Sequence, residues 1–558
     1  MFNRQVLADT AFILVVFLIF AVLAFSVDHS GEFPINDDWG FSTPLLWYSE
    51  GRGVHVTYWQ SMPYLSQLAI GILWVDFVGF SYESLRNLTL VQAALTIAFS
   101  YCLARAAGLD RRISSLISLS VAASPIFIGL SFSFMSDISG ALFSVAACFF
   151  LALSIGKGKR CRACYFAGGL LLLCAIAIRQ NSLGIAIAFF LTHLVFFRQD
   201  GARPFGALIL VAAGVALYAA TVPFMMATIG LPGDYGLETL EMISLLNDIA
   251  SLRLGAFLPG LKSILHLHVG AGLILLPLAP VLIIRSRGQR LVIWAIIPLT
   301  FAIALFALIL GQGIFQNMKS DILSTDGIGP RLIRGVPQEA FALSVALTLV
   351  GSLVSSLILL LAATSAWRLG RISVAKDSQL RIGLFLILCG LGVYAPHGLT
   401  YGALFDRYVI LPTILISIGM FAFVERQTGA GLVRLPVPWP ISITAAGLLC
   451  VTFVVSAAMT EDFFRWQRAR YELIEIAYSE FRATVETFSG GFEYDNIVRI
   501  VDKPVDAKDI VATTDWDPPL YLAHSYWPSG KVLKTFRVVT VLPFGSNVIT
   551  LRKSDLLP

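Results

Sequence analysis

Long apolar runs recur along this chain between Ala11 and Met459, separated by shorter polar segments. Each is long enough, or nearly so, to cross a hydrocarbon core of about 30 Å as an α-helix. This pattern predicts an all-α, polytopic membrane protein. The runs are 10–27, 64–79, 86–106, 113–135, 138–156, 164–180, 182–197, 206–226, 268–284, 291–311, 340–364, 382–396, 408–425 and 439–459.

The composition supports a membrane protein over a soluble one. Of 558 residues, 57% are hydrophobic and 13% are charged, whereas soluble domains carry about 25% charged residues. This excludes a soluble globular protein, and no nucleic-acid partner is expected. The net charge of +5 is modest, so the positions of the basic residues carry more information than their sum.

Basic residues are grouped between the apolar runs. The positive-inside rule places such clusters on the cytoplasmic side of the membrane. If all of them are cytoplasmic, two spans must separate each cluster from the next, and the runs from residue 113 onward meet this condition. The clusters are Arg105/Arg111/Arg112, 157–162, Arg198/Arg203, 285–290, 368–381 and Arg426/Arg434.

One of the first three runs cannot cross if this rule holds, because an odd number of spans before Arg105 would invert every later loop. The run 64–79 is the weakest, since it is short and carries Gln67 and Asp76. It is interpreted as a juxtamembrane or re-entrant helix on the outer face. The prediction is therefore about thirteen spans, with the N-terminus inside and the C-terminus outside.

This topology leaves three outer segments in the membrane region, 28–85, 227–267 and 312–339. After Met459 the composition changes: charges and aromatics alternate at helical spacing, and β-rich pieces follow, including I-V-R-I-V, D-I-V-A-T-T and F-R-V-V-T-V-L. The predicted domains are a membrane domain, 1–459, and a small extracytoplasmic α/β domain, 460–558.

Two carboxylates lie close to the end of the first span, in I-N-D-D-W-G-F. A carboxylate held beside the bilayer, such as Asp37, can accept a proton from an attacking hydroxyl group. Its neighbour Asp38 can orient that base or bind a metal. The alternative is a solvated acidic turn without a catalytic role.

Further ionisable residues fall at the predicted outer ends of spans. Asp137 lies between two spans, and ionisable residues in such places are candidate functional groups. Arg179 and Arg407 also lie outside, against the positive-inside bias. Arginine matches phosphate oxygens with a planar pair of donors. Interface arginines that extend towards water, and a helix-end carboxylate at Asp137, are the alternatives.

A histidine pair, His266 and His268, precedes a span in L-H-L-H-V. Such a pair can ligate zinc or manganese if carboxylates join it from another loop. A structural pair at the start of a span is the alternative, so the cofactor stays unknown, with a divalent metal as an open candidate.

The polar motifs, taken in order, resemble those of the GT-C class of membrane glycosyltransferases. The similar branch contains the protein O-mannosyltransferases and the lipid A aminoarabinose transferases. D-D-W-G-F follows the first span, as the family's acidic motif does, and a juxtamembrane stretch comes next. Three later segments match the family's pattern: V-G-F-S-Y-E-S-L-R-N-L, A-A-S-P-I-F-I-G-L-S-F-S-F-M-S-D and D-R-Y-V-I-L-P-T-I-L-I.

This resemblance implies an inverting transferase that moves a sugar from a polyprenyl-phosphate donor to a lipid or glycan acceptor. Asp37 would be the base, Asp38 and Asp137 would organise the site, and Arg179 and Arg407 would bind the lipid phosphate. The implied location is a bacterial inner membrane, with a periplasmic active site and C-terminal domain. The chain departs from the family at Gln60 and Ser61, and it lacks the proline after Asp137.

Two other functions stay open at this stage. A transporter or flippase for a lipid-linked glycan would use intramembrane charges along a path, but such proteins tend to contain paired repeats and charges at span centres. An O-antigen-type polymerase or ligase would depend on outer-face arginine and histidine, with less need for Asp37.

Overall fold

The computed structural model describes residues 4–554 apart from several gaps. Predicted features in these gaps, including D-I-V-A-T-T and most of the outer segment 227–267, lie outside the described residues. The gaps are 58, 61, 157–161, 197–202, 229–243, 245–246, 249–250, 252, 254–256, 287–288, 312–321, 325–326, 330, 336–340, 400–403, 430–437, 501–517, 526 and 543–546.

The described residues form a bundle of α-helices followed by a small sheet. The helices are α1 Arg4–Ser26, α2 Asp38–Ser49, α3 Leu65–Val78, α4 Tyr82–Ala106, α5 Arg111–Ala123, α6 Pro125–Ser131, α7 Ser136–Gly156, α8 Arg162–Ile178, α9 Leu183–Val195, α10 Arg203–Thr228, α11 Leu258–Ile274, α12 Ala279–Ser286, α13 Arg290–Ile309, α14 Phe341–Lys376, α15 Ser378–Tyr394, α16 Ile410–Gly429, α17 Trp439–Phe481 and α18 Phe492–Ile500. The strands are β1 Leu323–Ser324, β2 Gly327–Ile328, β3 Phe488–Ser489, β4 Leu520–His524, β5 Lys531–Arg537 and β6 Val548–Lys553.

Most predicted spans are continuous helices. Within the described part of the chain, nine helices are long and apolar enough to cross a membrane. Two bent pairs, α5 with α6 (65°) and α11 with Leu276–Ser286 (62°), pass the same test as single spans. α8 and α9 are shorter apolar helices that coincide with the other two predicted spans. The predicted fold class is confirmed, while the count of thirteen stays a prediction.

One end of the bundle, called the basic end, collects ion pairs that involve the predicted cytoplasmic clusters. The loop at Gly108 also packs against the side chain of Gln379 at this end. Asp377 additionally caps α15, because its carboxylate accepts hydrogen bonds from the first turn. The ion pairs are Asp9–Arg111 (2.9 Å), Arg285–Glu425 (2.7 Å) and Asp377–Arg426.

The opposite end, called the site end, contains Asp37, Asp137, Arg179 and Arg407. Successive spans alternate in direction between the two ends, so each predicted outer segment that is described returns to the site end. The helix α3 also belongs there: the Tyr64 N–H donates to the Ile178 carbonyl at 3.2 Å, beside Arg179. The end of α3 contacts the start of α4, where the Trp74 indole donates to Ser84 Oγ at 2.8 Å. Both ends of α3 thus lie at the site end, as expected of a helix that does not cross.

The last span does not stop at residue 459. α17 continues as one helix of 43 residues. Its first half is apolar, and its second half packs against the C-terminal sheet. The strand order in that sheet is β3-β4-β6-β5, with β3 parallel to β4 and the other pairs antiparallel. The predicted domain boundary at 459/460 therefore falls inside a helix.

One predicted β segment is wrong. I-V-R-I-V was expected to be a strand because of its β-branched residues, but its described part forms the C-terminal end of α18. α18 places Phe492 and Ile497 against a tryptophan cluster on the membrane domain. Tertiary packing therefore overrides the local β propensity. F-R-V-V-T-V-L is a strand only at its start, since β5 ends at Arg537.

The predicted orientation is testable with impermeant thiol reagents on intact cells. Lys531 lies on the exposed edge strand of the C-terminal sheet, and Arg112 is exposed on α5 at the basic end. A cysteine introduced by Lys531→Cys should be labelled, and one introduced by Arg112→Cys should be shielded until the cells are permeabilised. Labelling of Arg112→Cys in intact cells would contradict the predicted topology.

Candidate active site at the end of the helical bundle

The turn that carries Asp37 is built from its neighbours. Asn36 adopts a left-handed backbone conformation (φ 52°), which asparagine tolerates better than most residues. The Asp38 carboxylate accepts a hydrogen bond from the Ile35 N–H at 2.7 Å and so closes the turn. Asp37 occupies the N-cap position of α2, but its side chain makes no capping hydrogen bond. That side chain extends into the bundle instead.

Four charged side chains from four separate segments form a continuous chain of ion pairs. Asp37 Oδ2 lies 3.0 Å from Arg407 Nη1, and Arg407 Nε lies 3.8 Å from Asp137 Oδ2. Arg179 completes the chain through its ion pair with Asp137. All four side chains are 8–13% exposed. The sequence-predicted Asp37, Asp137, Arg179 and Arg407 are therefore brought together, with Asp137 between the two arginines.

A cleft opens beside these ion pairs. It contains about 440 Å³ of empty space, part of it open to solvent, and is lined by Asp137, Arg179 and Arg407 together with His397, Tyr408 and Asn181. The Tyr408 ring lies against both guanidinium groups, at 5.4 Å from Arg179 and 5.6 Å from Arg407. The two guanidinium groups on this aromatic wall offer N–H donors to an anionic group, while Asp37 and Asp137 balance their charge.

Sequence reasoning missed His397 and Tyr408 as cleft residues. Their rings are stacked, with centroids 4.0 Å apart. Tyr408 stands next to Arg407 in D-R-Y-V, and His397 lies in the short 3₁₀ helix Ala395–Gly398 that ends a span. The available signal was an isolated histidine at a span end.

Arg407 is positioned by its neighbour in the chain. The Asp406 carboxylate accepts hydrogen bonds from the Leu323 N–H at 2.6 Å and the Ile322 N–H at 3.2 Å. These amides belong to the described part of the outer segment 312–339. The same segment reaches the C-terminal sheet, because the Arg334 N–H donates to the Leu522 carbonyl at 3.2 Å. One outer segment thus connects the turn carrying Arg407 to the C-terminal domain.

Asp38 lies apart from the ion-pair chain. Its side chain is 2% exposed, and burial raises the pKa of its carboxyl well above the usual value, against the opposing influence of Arg86 and the Ile35 N–H. Arg86 itself donates to the backbone carbonyls of His29 and Gly31. The structure therefore places Asp38 in the support of the turn rather than in the cleft.

The C-terminal domain also contacts the turn that carries Asp37. Glu493 at the start of α18 is fully buried and pairs with Arg470 of α17 at 2.8 Å, each side chain being 0% exposed. Burial raises the pKa of Glu493, while Arg470 and the backbone N–H of Asn36 oppose that rise. The backbone N–H of Asn36 is thus directed towards the Glu493 carboxylate.

A tryptophan cluster lies beside this contact. Trp39, Trp47 and Trp59 from the first outer segment pack with Phe492 and Ile497 of α18. The Phe492 ring is 5.3 Å from Trp59 and 6.2 Å from Trp39. Because these side chains exclude water from the contact, the C-terminal domain and the segment bearing Asp37 form one packed unit.

The histidine pair does not converge on the carboxylates. His268 Nε2 is hydrogen-bonded with Ser356 Oγ at 3.1 Å. His266 is buried, and neither of its ring nitrogens has a hydrogen-bond partner among the residues that the structure describes. Among the described residues, no group of three or more histidine, cysteine, aspartate or glutamate side chains is arranged to hold a metal ion.

No protein-family model and no curated protein matches the sequence. Among solved structures, the chain overlaps the archaeal oligosaccharyltransferase AglB from Archaeoglobus fulgidus, in complex with an inhibitory peptide and a dolichol-phosphate. The TM-score is 0.47 at 13% identity, over 91% of this chain and 65% of that one. ArnT from Cupriavidus metallidurans bound to undecaprenyl phosphate overlaps with a TM-score of 0.41 at 12% identity, over 100% of both chains. The chain spans less than two thirds of the archaeal enzyme, and overlaps with TM-scores below 0.5 assign no residue roles.

Proposed function

We propose that this protein is an inverting glycosyltransferase that moves a sugar from a polyprenyl-phosphate donor to an acceptor hydroxyl at the outer face of the membrane. The observation that carries the proposal is the ion-pair chain Asp37–Arg407–Asp137–Arg179 beside the cleft at the site end. In this chain of ion pairs, the proposed base Asp37 contacts Arg407, which is one of the two proposed phosphate ligands. The motif resemblance to GT-C glycosyltransferases supports the same reaction.

In the proposed reaction, the Asp37 carboxylate takes the proton of the acceptor hydroxyl as its oxygen attacks the anomeric carbon. The bond between that carbon and the donor phosphate oxygen breaks, and its electron pair leaves with the polyprenyl phosphate. Attack from the face opposite the phosphate inverts the anomeric configuration. Negative charge develops on the phosphate as this bond breaks, and fixed cations beside the phosphate lower the barrier by stabilising that charge.

Arg179 and Arg407 are the proposed phosphate ligands. A guanidinium carries five N–H donors, so a hydrogen bond to a carboxylate leaves donors for a phosphate. Asp137 holds the two arginines on either side of one carboxylate, which fixes their spacing at the cleft. Asp38 supports the turn of Asp37. His397 and Tyr408 form the wall behind the cations.

The distribution of charge favours the enzyme over a transporter. A flippase needs polar groups along a path across the bilayer. Here the ion-pair chain lies at one end of the bundle, and the ion pairs of the basic end lie at the other. The proposed orientation places the site end in the periplasm of a bacterial inner membrane, where lipid or glycan acceptors are reached.

The test uses the full-length protein in nanodiscs with a polyprenyl-phosphate sugar as donor. Comparing envelope glycans of cells with and without the gene identifies the modified acceptor. That acceptor is then added to the purified protein, and release of free polyprenyl phosphate is measured with glycosylation of the acceptor. Release coupled to product supports the proposal. A changed glycan profile without transfer by the purified, folded protein would contradict it.

The arginine assignment predicts weaker donor binding. Arg179→Ala and Arg407→Ala should each weaken binding of polyprenyl phosphate to the nanodisc-embedded protein, measured by titration. Lysine at either position should restore binding only in part, because a point charge cannot bind two phosphate oxygens in one plane.

Arg52→Ala is the matched control for this prediction. Arg52 lies in the first outer segment and likewise pairs with a carboxylate, that of Glu50 at 3.2 Å, but its side chain is 35% exposed and does not line the cleft. Its loss should leave binding unchanged. Wild-type affinity in both cleft variants would make the two arginines structural members of the ion-pair chain. Removing either one leaves a buried carboxylate short of a partner, so detergent stability is measured in parallel.

A further inference from the structure

The strand β5 runs antiparallel to the extended helix α17. At one point Lys534 of β5 pairs with Glu480 of α17 at 2.8 Å. After the strand, the N–H groups of Val541 and Leu542 both donate to the Asp462 carboxylate, the second at 2.9 Å. Asp462 and Glu480 are 18 residues apart on one helix, or roughly 27 Å at 1.5 Å per residue. The chain from β5 onward therefore runs along α17, from Glu480 back to Asp462, towards the membrane domain.

Asp462 lies just beyond the apolar part of α17, where the predicted span ends. The apolar part of α17 ends at Met459, and Glu461 accepts a hydrogen bond from the Asp28 N–H at 2.7 Å. Asp28 lies two residues beyond the end of α1. Two spans thus end at the same level, and the chain after β5 is fixed to the helix within one turn of it.

The side chains at this position are apolar and exposed. Val539 is 75% exposed and Val541 is 52% exposed. Arg465 donates to the Val539 carbonyl at 3.2 Å, so the segment is held on both sides of Thr540. Fixed, exposed valines are unfavourable in water, whereas lipid at the same level would cover them.

We propose that the segment 538–542, called the docking segment, rests in the interfacial layer of the bilayer in which the protein is embedded. Its partner is lipid. The segment is bound to α17 where the predicted spans end, and Val539 and Val541 are exposed at that position. The C-terminal domain is then held by the membrane as well as by α17. This inference is independent of the proposed sugar transfer.

The test places a fluorophore on the docking segment of the full-length protein in nanodiscs. Val541→Cys and, separately, Val539→Cys are labelled with an environment-sensitive dye in a Cys450→Ser background, since Cys450 is exposed. Val532→Cys is the matched control: it replaces the same residue type at 44% exposure, at the other end of β5. Protein without an added cysteine gives the background from native thiols.

The dye at Val541 or Val539 should emit at shorter wavelength and lose fluorescence to lipids with nitroxide-labelled headgroups, while aqueous iodide has little effect. The dye at Val532 should respond to iodide and not to the lipid quencher. Equal quenching of all three positions by iodide would overturn the proposal. Protection of Val541 from both quenchers would also overturn it, because the segment would then be covered by a protein partner or a second copy.

Discussion

Replacing Asp37 with asparagine is expected to lower the rate of sugar transfer roughly 10²–10⁴-fold, the usual contribution of general-base catalysis. Asparagine preserves the shape of the side chain and can still accept the hydrogen bond from Arg407, which is 3.0 Å long. It cannot take the proton of the acceptor hydroxyl. The loss should appear in kcat, with donor affinity nearly unchanged, in steady-state transfer assays on the nanodisc-embedded protein.

Asp38→Asn is the matched control, because it changes the same residue type at the next position. Its carboxylate lies apart from the ion-pair chain and accepts a hydrogen bond from the Ile35 N–H, which an amide oxygen could also accept. Transfer should therefore fall much less than in Asp37→Asn. A larger loss from Asp38→Asn would indicate that Asp38 takes part in the chemistry. Near wild-type transfer by Asp37→Asn, in protein shown to be folded and donor-bound, would contradict the mechanism and favour the polymerase hypothesis.

The sequence singled out the charged residues that the structure brings together, but not their arrangement. Asp137, Arg179 and Arg407 stand out because a charge at the end of an apolar run is costly unless it has a partner or a role. The ion pairs among these residues and Asp37 were not predictable, since partners such as Arg407 and Asp37 are separated by 370 positions in the chain. The hypothesis assigned the arginines to phosphate alone. In the structure each of them also contacts a carboxylate.

The grouping of the span ends was predictable for an electrostatic reason. Arg111, Arg285 and Arg426 lie at one end of the bundle, as expected if their clusters share one side of the membrane, while the identity of that side stays a prediction. Local sequence was less informative in the C-terminal domain. The β-branched residues of α18 indicated a strand. The packing of Ile497 against tryptophans more than 430 positions earlier decides otherwise, and a single sequence does not reveal that contact.

The contact between the C-terminal domain and the turn that carries Asp37 also lay beyond sequence reasoning. Glu493 appears in the sequence as an ordinary acidic residue of a mixed polar segment. Its burial with Arg470 depends on how α17 and α18 pack, and its proximity to Asn36 depends on where the first outer segment folds. Such long-range matches are specified by three-dimensional packing, not by local periodicity.

Loss of the buried ion pair between α17 and α18 should have the largest effect on stability. Arg470→Met leaves the Glu493 carboxylate buried without its cation, and breaking such a pair costs about 3–5 kcal/mol. The same change removes the hydrogen bond from Arg470 Nε to the Gly490 carbonyl, 2.7 Å long. We expect the C-terminal domain to unfold at lower temperature and to become sensitive to limited proteolysis. Lys534→Met is the matched control, because Lys534–Glu480 is an exposed ion pair worth at most about 1 kcal/mol.

The double variant Arg470→Met/Glu493→Leu separates folding from positioning. Replacing both members of a buried ion pair by apolar residues is often neutral for stability, since no uncompensated charge remains. Resistance to heat and protease should therefore return towards the wild-type level. Transfer should stay reduced if the Glu493 carboxylate orients Asn36 and, through it, Asp37, with the loss in kcat rather than in donor affinity. If turnover recovers together with stability, Glu493 only supports the fold of the C-terminal domain, and the turn of Asp37 is held by Asp38 and Arg407 alone.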